Sequence, residues 1–299
     1  MCNYYTQEDL VGRGDTVVDN FNENVYQQGH FESWNNNLGK NFTENSSYLH
    51  KQGMIAKNIE TGGAYQASVS GAYGEFTASS VLKSLPDCYH VMNDILLPQG
   101  TQLRKYQPER YGQSPWKIVQ DKGRYYEVVK KSTQLDHLIV SPYGLFVIET
   151  KNHKGWVFGD VNGKVWTQTL NGENGWRAYG GHAHYTFYNP VKQNQGHMQE
   201  LSKQLKLPMN YMVAMIVFTN PEAYLGNVNC NCCYTLDMLY EAILSYNRQI
   251  WNGKQTIKVI QAVENLNKNG YIASKEHETY VQDIQRRHEI NRMLKMQGK

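Results

Sequence analysis

Two carboxylates and a lysine stand close together in an apolar hairpin, where a buried sheet ordinarily holds only aliphatic side chains. Asp136 lies in Gln134-Leu135-Asp136-His137-Leu138, and Glu149 and Lys151 lie in Phe146-Val147-Ile148-Glu149-Thr150-Lys151. Burying three ionisable groups costs several kcal/mol unless they pair or hold a metal. Two carboxylates converging on one point offer hard oxygens to Mg²⁺ or Mn²⁺, and a neighbouring ammonium can orient a water or help deprotonate it. Phosphodiester hydrolysis uses that equipment. A lone Glu-x-Lys on a strand is more often a solvated edge or a surface ion pair; the company of Asp136 is what moves the reading toward a site.

The elements that must position these groups follow from periodicity. Residues 138–140 and 145–148 are aliphatic and β-branched, and the Pro142-Tyr143-Gly144 between them is turn chemistry, so the segment reads as two antiparallel strands. Side chains alternate at period two, which puts Val147, Glu149 and Lys151 on one face and Phe146, Ile148 and Thr150 on the other. A turn centred on Tyr143 and Gly144 sets Asp136 opposite Lys151 and Leu138 opposite Glu149, so that both acids and the amine share a face. Upstream, a helix is expected over residues 75–85, with strands at 89–97 and 125–129 around a loop at 100–115. Downstream the pattern gives helices at 191–205 and 236–250, the latter with Thr235 as N-cap, a buried strand at 211–218 and a last strand at 256–263.

These residues, together with Gly71-Ala72-Tyr73-Gly74-Glu75, Gly155, Trp166 and Asn189-Pro190-Val191-Lys192-Gln193-Asn194 followed by His197, resemble the nuclease-related domain (NERD) family of the wider PD-(D/E)XK nuclease superfamily, across roughly residues 68–220. The resemblance implies an α/β fold, a mixed central β-sheet flanked by helices in a restriction-endonuclease-like core, with extensions at both termini. It also implies roles. Asp136 and Glu149 become metal ligands, the Thr150 carbonyl a further one, and Lys151 the group that positions the attacking water. Glu75 matches an additional acid that many members of the superfamily point into the site. Gln193 matches a polar position that can face the site, and Gln134, two residues before Asp136, shares its face. For Gln134 and Gln193, ordinary hydrogen bonding that closes a sheet edge and caps a helix is an equal reading. The cofactor implied is Mg²⁺ or Mn²⁺. The activity implied is nuclease, on DNA rather than RNA, in defence against foreign DNA, antiviral defence included, or in DNA processing. A homo-oligomer and a partner protein from the same system remain open, and the rival reading is a catalytically silent nuclease-fold module that binds nucleic acid or a protein.

Length admits a single good-sized domain with extensions or two small domains: 299 residues, with formal charge +3 and a sequence pI near 8.4, a balance too even to argue for or against nucleic acid. The divisions expected are residues 1–65 as a polar, aromatic-containing extension, 66–265 as the nuclease-like domain and 266–299 as a basic C-terminal helix. That helix either packs on its own domain or lies along DNA or a partner. Lysines 117, 122, 130 and 131 with Arg124 precede the first acid, and Lys154 and Lys164 follow the second, as a phosphate backbone or simple solvation would require. No targeting or membrane-spanning segment is visible, so a cytoplasmic location is expected. Five cysteines, an odd number, argue against a disulfide framework. The Cys230-Asn231-Cys232-Cys233 cluster is open to a soft-metal, a redox or an incidental reading. His137 alternates away from Asp136 and reads as structural.

Overall fold

The computed structural model describes residues 62–170, 183–272 and 274–298. The aromatic-rich stretch before residue 62 lies outside the described residues. The chain begins with helix α1 (Gly62–Leu82), followed by a long strand β1 (His90–Tyr106), a one-turn helix α2 (Pro108–Tyr111), and strands β2 (Lys117–Asp121), β3 (Arg124–Ser141) and β4 (Gly144–Lys151). Next come β5 (Gly155–Gly159), β6 (Val165–Leu170), β7 (Ala183–Tyr188), helix α3 (Pro190–Leu205) and strands β8 (Met212–Phe218), β9 (Ala223–Val228) and β10 (Cys233–Thr235). Helices α4 (Leu236–Leu244), α5 (Gly253–Ile272) and α6 (Ser274–Met296) close it.

The central sheet runs β1-β3-β4-β8-β10, with β2 added to the far part of β3. It is mixed: β3 is antiparallel to β1 and β4, while β8 is parallel to β4 and β10 is parallel to β8. Parallel pairing needs both faces covered, and both are. On one side α1 and α4 bring Ala78, Leu82, Leu239 and Ile243 against Ile139, Phe146, Ile148 and Met215. On the other, α3 and α5 bring Met198, Leu201, Val259 and Val263 against Leu138, Leu145 and Val147. A second sheet, β7-β6-β5-β9, joins the first through Val157, Trp166 and Ala223, which pack with Ile216, Phe218 and Val191. Asn189 ties this junction together: its side-chain oxygen caps α3 at Val191 N, 2.9 Å away, and its amide donates to the carbonyls of Asp160, Val161 and Gly163.

Several expectations are corrected. The hairpin turn consists of Pro142 and Tyr143, with Ser141 paired to Gly144, so Asp136 stands level with Glu149 rather than Lys151 and Leu138 pairs with Val147. The slip is two residues, which keeps the side chains of the paired residues, 137–141 and 144–148, on their expected faces; a slip of one would have inverted them. The segment 256–263 is helical, because Thr256, Val259 and Val263 are its buried positions and recur at helical intervals despite their β-branched composition. Residues 100–106 are strand rather than loop, since a register shift between Pro98 and Gly100 lets the β1–β3 ladder continue to Tyr106. Helix α1 starts before Glu75, and α4 ends at Leu244. The Cys230 and Cys232 sulfurs are joined as a disulfide closing a three-residue loop, with Cys233 beside them on β10, so the link is local and no framework.

Helix α6 docks on β3, and Arg286 and Arg287 bond to the body of the domain while Arg292 stays exposed. Arg287 is buried, its Nη2 lying 2.6 Å from each oxygen of the fully buried Glu127, and its guanidinium lies over the Tyr111 ring, 4.1 Å from its centroid. Arg104 from β1 reaches both Glu127 and Asp283, and Trp116 Nε1 donates to Asp283 across 3.1 Å. Hydrogen bonds from Arg104, Arg286 and Trp116 outweigh burial and hold the Asp283 carboxyl down at about 2. Of the two arrangements open to this helix, the structure has the packed one.

Candidate active site

Strands β3 and β4 separate just after the pair His137–Ile148, and the opening is where the ionisable groups gather. Asp136 Oδ2 takes the place of a backbone acceptor there, receiving hydrogen bonds from Thr150 N at 2.7 Å and Thr150 Oγ1 at 2.9 Å. An extended residue sends its N–H and C=O to the same side, so the Thr150 carbonyl opens onto the same gap. The next residue confirms the alternation, because the Lys151 carbonyl faces the other way, toward Thr219 N.

Glu149 is 2% exposed and both of its oxygens are held. Oε1 accepts from the Lys151 ammonium, and Oε2 lies 3.1 Å from His197 Nε2 on α3. A carboxylate cannot donate, so Nε2 carries the proton; Nδ1, 2.8 Å from Thr133 Oγ1, completes the orientation of the ring. Burial alone would raise the Glu149 carboxyl, but Lys151 first and His197 second hold it below its ordinary value. Burial likewise works against the Lys151 charge, and Glu149 and Asp136 overcome it, keeping the amine above its ordinary value and protonated. Gln193 Oε1 lies 3.2 Å from the Lys151 amine, so α3 contributes two side chains to this corner.

Glu75 arrives from α1, on the opposite face. Burial, then the charges of Asp136, Asp94 and Glu149, push its carboxyl up to about 9, while burial and Glu149 push Asp136 up to about 7. Gly74 permits the approach. A Cβ there would stand 2.6 Å from Thr219 Oγ1 and 2.8 Å from Asn152 Cβ, and Asn152 in turn donates to the Ser70 carbonyl at 2.8 Å. Two effects oppose each other on substitution by alanine: helix propensity favours it by ~1 kcal/mol, and the overlap costs ~1–3 kcal/mol. The overlap wins at Gly74, because Asn152 Cβ is fixed to its backbone. At Gly71 nothing lies within 4 Å, so propensity wins. Gly74→Ala is expected to lower, and Gly71→Ala to raise, the denaturant midpoint.

Two residues that sequence reasoning missed belong to this cluster. Asp94 sits between the pairs Asn93–His137 and Ile95–Leu135 in a left-handed conformation, φ 54°, and accepts from Gln134 Nε2 at 3.0 Å. Gln134 therefore holds another acid rather than reaching the centre itself. An isolated Asp in a strand carries no periodic signal, although Asp is among the few residues that tolerate that conformation. His197 was visible as a motif residue, but its bond to Glu149 spans 48 residues of sequence. His137 lies on the opposite face, its Nδ1 2.8 Å from Asn93 Oδ1, and burial lowers it to about 4.

The raised acids have a measurable consequence. A carboxyl whose folded pKa exceeds its unfolded value keeps a proton that the unfolded chain has lost, so stability falls as pH rises between the two values. For Asp136 that window runs from about 4 to about 7, where His137 and His153, both lowered to about 4, oppose it by favouring folding as the unfolded imidazoles lose their protons. Above it these histidines are silent, and among the described carboxyls Glu75 continues the fall to about 9, joined near its upper end by the raised Cys233 thiol. In EDTA the urea midpoint is expected to drop across the interval from pH 7 to 9, and Glu75→Gln to flatten the slope. A flat wild-type profile would contradict this electrostatic picture.

The chain matches the family model described as nuclease-related domain over residues 70–219, half of its length. It is 26% identical over 149 residues to an uncharacterized protein of Bacillus anthracis, covering 45% of this chain and 65% of that relative, so it spans just under two thirds of the relative's length. No solved structure matches it. Among the described residues no helix is long and apolar enough to cross a membrane.

Proposed function

We propose that this chain, which belongs to the nuclease-related domain family, hydrolyses phosphodiester bonds in DNA with the help of Mg²⁺ or Mn²⁺. The observation that carries the reading is the meeting of Asp136, Glu149 and Lys151 at the opening between β3 and β4. The superfamily generally uses divalent metals, and the residues present fit one. The donor set is all hard oxygen, the Thr150 carbonyl opens onto the same gap, and Asp136, Asp94 and Glu149 crowd Glu75 with one ammonium among them, so a divalent charge would relieve the repulsion that raises Asp136 and Glu75. Asp136, Glu149 and Thr150 through its carbonyl would hold the ion, and Glu75, whose oxygens do not converge with both other acids here, would have to move in to join them. When bound, it supplies Lewis-acid polarisation of a phosphoryl oxygen and a more acidic water.

The remaining work falls to the chain's own groups. Lys151, which Glu149 and Asp136 favour in its charged form, acts as a donor that orients the attacking water and meets the charge growing on the phosphoryl oxygens. Gln193 limits the directions the amine can take. His197 and Thr133 fix the Glu149 carboxylate, the arrangement expected of groups that set ligand orientation. Purified protein incubated with plasmid, linear duplex and single-stranded DNA, each with Mg²⁺, Mn²⁺ or EDTA, tests the reading. Metal-dependent cutting of at least one substrate is expected. No cutting of any would favour the silent, binding-only reading.

A further inference from the structure

The outer face of the second sheet carries a row of aromatic side chains that the core does not use. Trp156 and Phe158 on β5 and Tyr224 on β9 are 44%, 40% and 53% exposed, while Val157 and Trp166, which face the other way, already fill the junction with the central sheet. The Trp156 and Phe158 planes are within 18° of parallel with centroids 6.3 Å apart, so their π faces point in the same direction, and Tyr224 stands 5.4 Å from Trp156 at 30°. Gly226 makes room for the row: a Cβ there would lie 2.8 Å from the Phe158 ring. Aromatic pairs across strands stabilise a sheet by themselves, but that role does not call for three rings left nearly half open to water, and such exposure marks contact surfaces.

We infer that this face is a stacking platform for single-stranded DNA leading to the site between β3 and β4; the choice of ligand rests on the nuclease reading above. Three observations favour a nucleic acid strand over an apolar protein partner. Stacking needs only a π face and accepts any base. The positions cross-strand from these rings are hydroxyls, Thr167 and Thr169, and no carboxylate stands at a paired position on this face among the described residues. Lys154, exposed, introduces β5 at the end nearest the site. The platform also lies close to that site: Trp156 follows Lys151 by five residues, a span of at most about 18 Å, or on the order of five phosphates of one strand. His153, between them, stacks on Phe187 of β7 at 4.1 Å.

The test is binding of a fluorescein-labelled oligothymidine to the full chain in EDTA, at one fixed salt concentration, read by anisotropy. Trp156→Val and Tyr224→Thr, which keep strand-forming residues, are each expected to weaken binding about 5-fold or more, with Trp156→Tyr restoring most of it and duplex binding changing little. Irradiating the unmodified protein with a 5-iodouracil oligonucleotide avoids any question of folding, and should label the peptide carrying residues 155–159 or the one carrying 223–226. Unchanged affinity in both variants, labelling elsewhere, equal loss for duplex, or tighter binding of oligouridine would each overturn the proposal. Unchanged affinity with cutting intact would remove the platform alone. Weakened binding in the variants of a protein that cuts nothing would remove the hydrolase reading and leave the platform standing.

Discussion

Lys151→Ala is expected to lower the rate of metal-dependent DNA cleavage by about 10³-fold, the loss typical of removing one donor aimed at developing charge in a protected site. The expectation follows from where the amine is held. It bonds to Glu149 and Gln193, and the surrounding carboxylates favour its charged form. DNA affinity in EDTA should change little, and metal affinity should persist or rise, because a competing positive charge has left an acidic cluster. Lys151→Met, which restores the chain length without the charge, should be as inactive as Lys151→Ala. A drop of less than about 10-fold would show that the amine has no part in the transition state.

The second large effect is on stability and lies far from that chemistry. Glu127→Ala is expected to destabilise the protein by ~3–5 kcal/mol, because it removes the anion from a buried network and leaves the guanidinium groups of Arg104 and Arg287 to share Asp283. Opposite outcomes separate network from charge. Glu127→Gln keeps an acceptor for Ser114 and Arg287 and should cost less, whereas Arg287→Ala should cost as much as Glu127→Ala. Urea unfolding measures all three. A change below about 1 kcal/mol for Glu127→Ala would mean that α6 contributes nothing through these bonds.

What could be read from the sequence depended on the range of the physics involved. The β3–β4 hairpin was legible because a two-residue period and an apolar run are local properties; even with the turn misplaced, Glu149 and Lys151 share the α3 face, whereas Asp136 turns into the opening to meet Thr150. Helix α3 and strand β8 were legible for the same reason, bracketed as they are by Asn189-Pro190, Pro208 and Asn220-Pro221. Helix α5 was misread because β-branched Thr256, Ile257, Val259, Ile260 and Val263 outweighed their 3.6-residue spacing. The second sheet was not foreseen at all: β5, β6 and β9 are five or six residues long, and their glycines resemble turns until Gly159 is seen lying under Trp166 and Gly226 under Phe158. Asp94 and the His197–Glu149 bond depend on a backbone conformation and a tertiary contact, neither of which has a periodic signature.

Metal-dependent hydrolysis here requires Asp136 and Glu149 to share a divalent cation beside Lys151. Anomalous scattering from crystals of the full chain soaked in Mn²⁺ tests it most directly. A single strong peak is predicted in the opening between β3 and β4, about 2.1 Å from one oxygen each of Asp136, Glu149 and the Thr150 carbonyl. A peak that avoids both acids, or no peak there at saturating Mn²⁺, would contradict it.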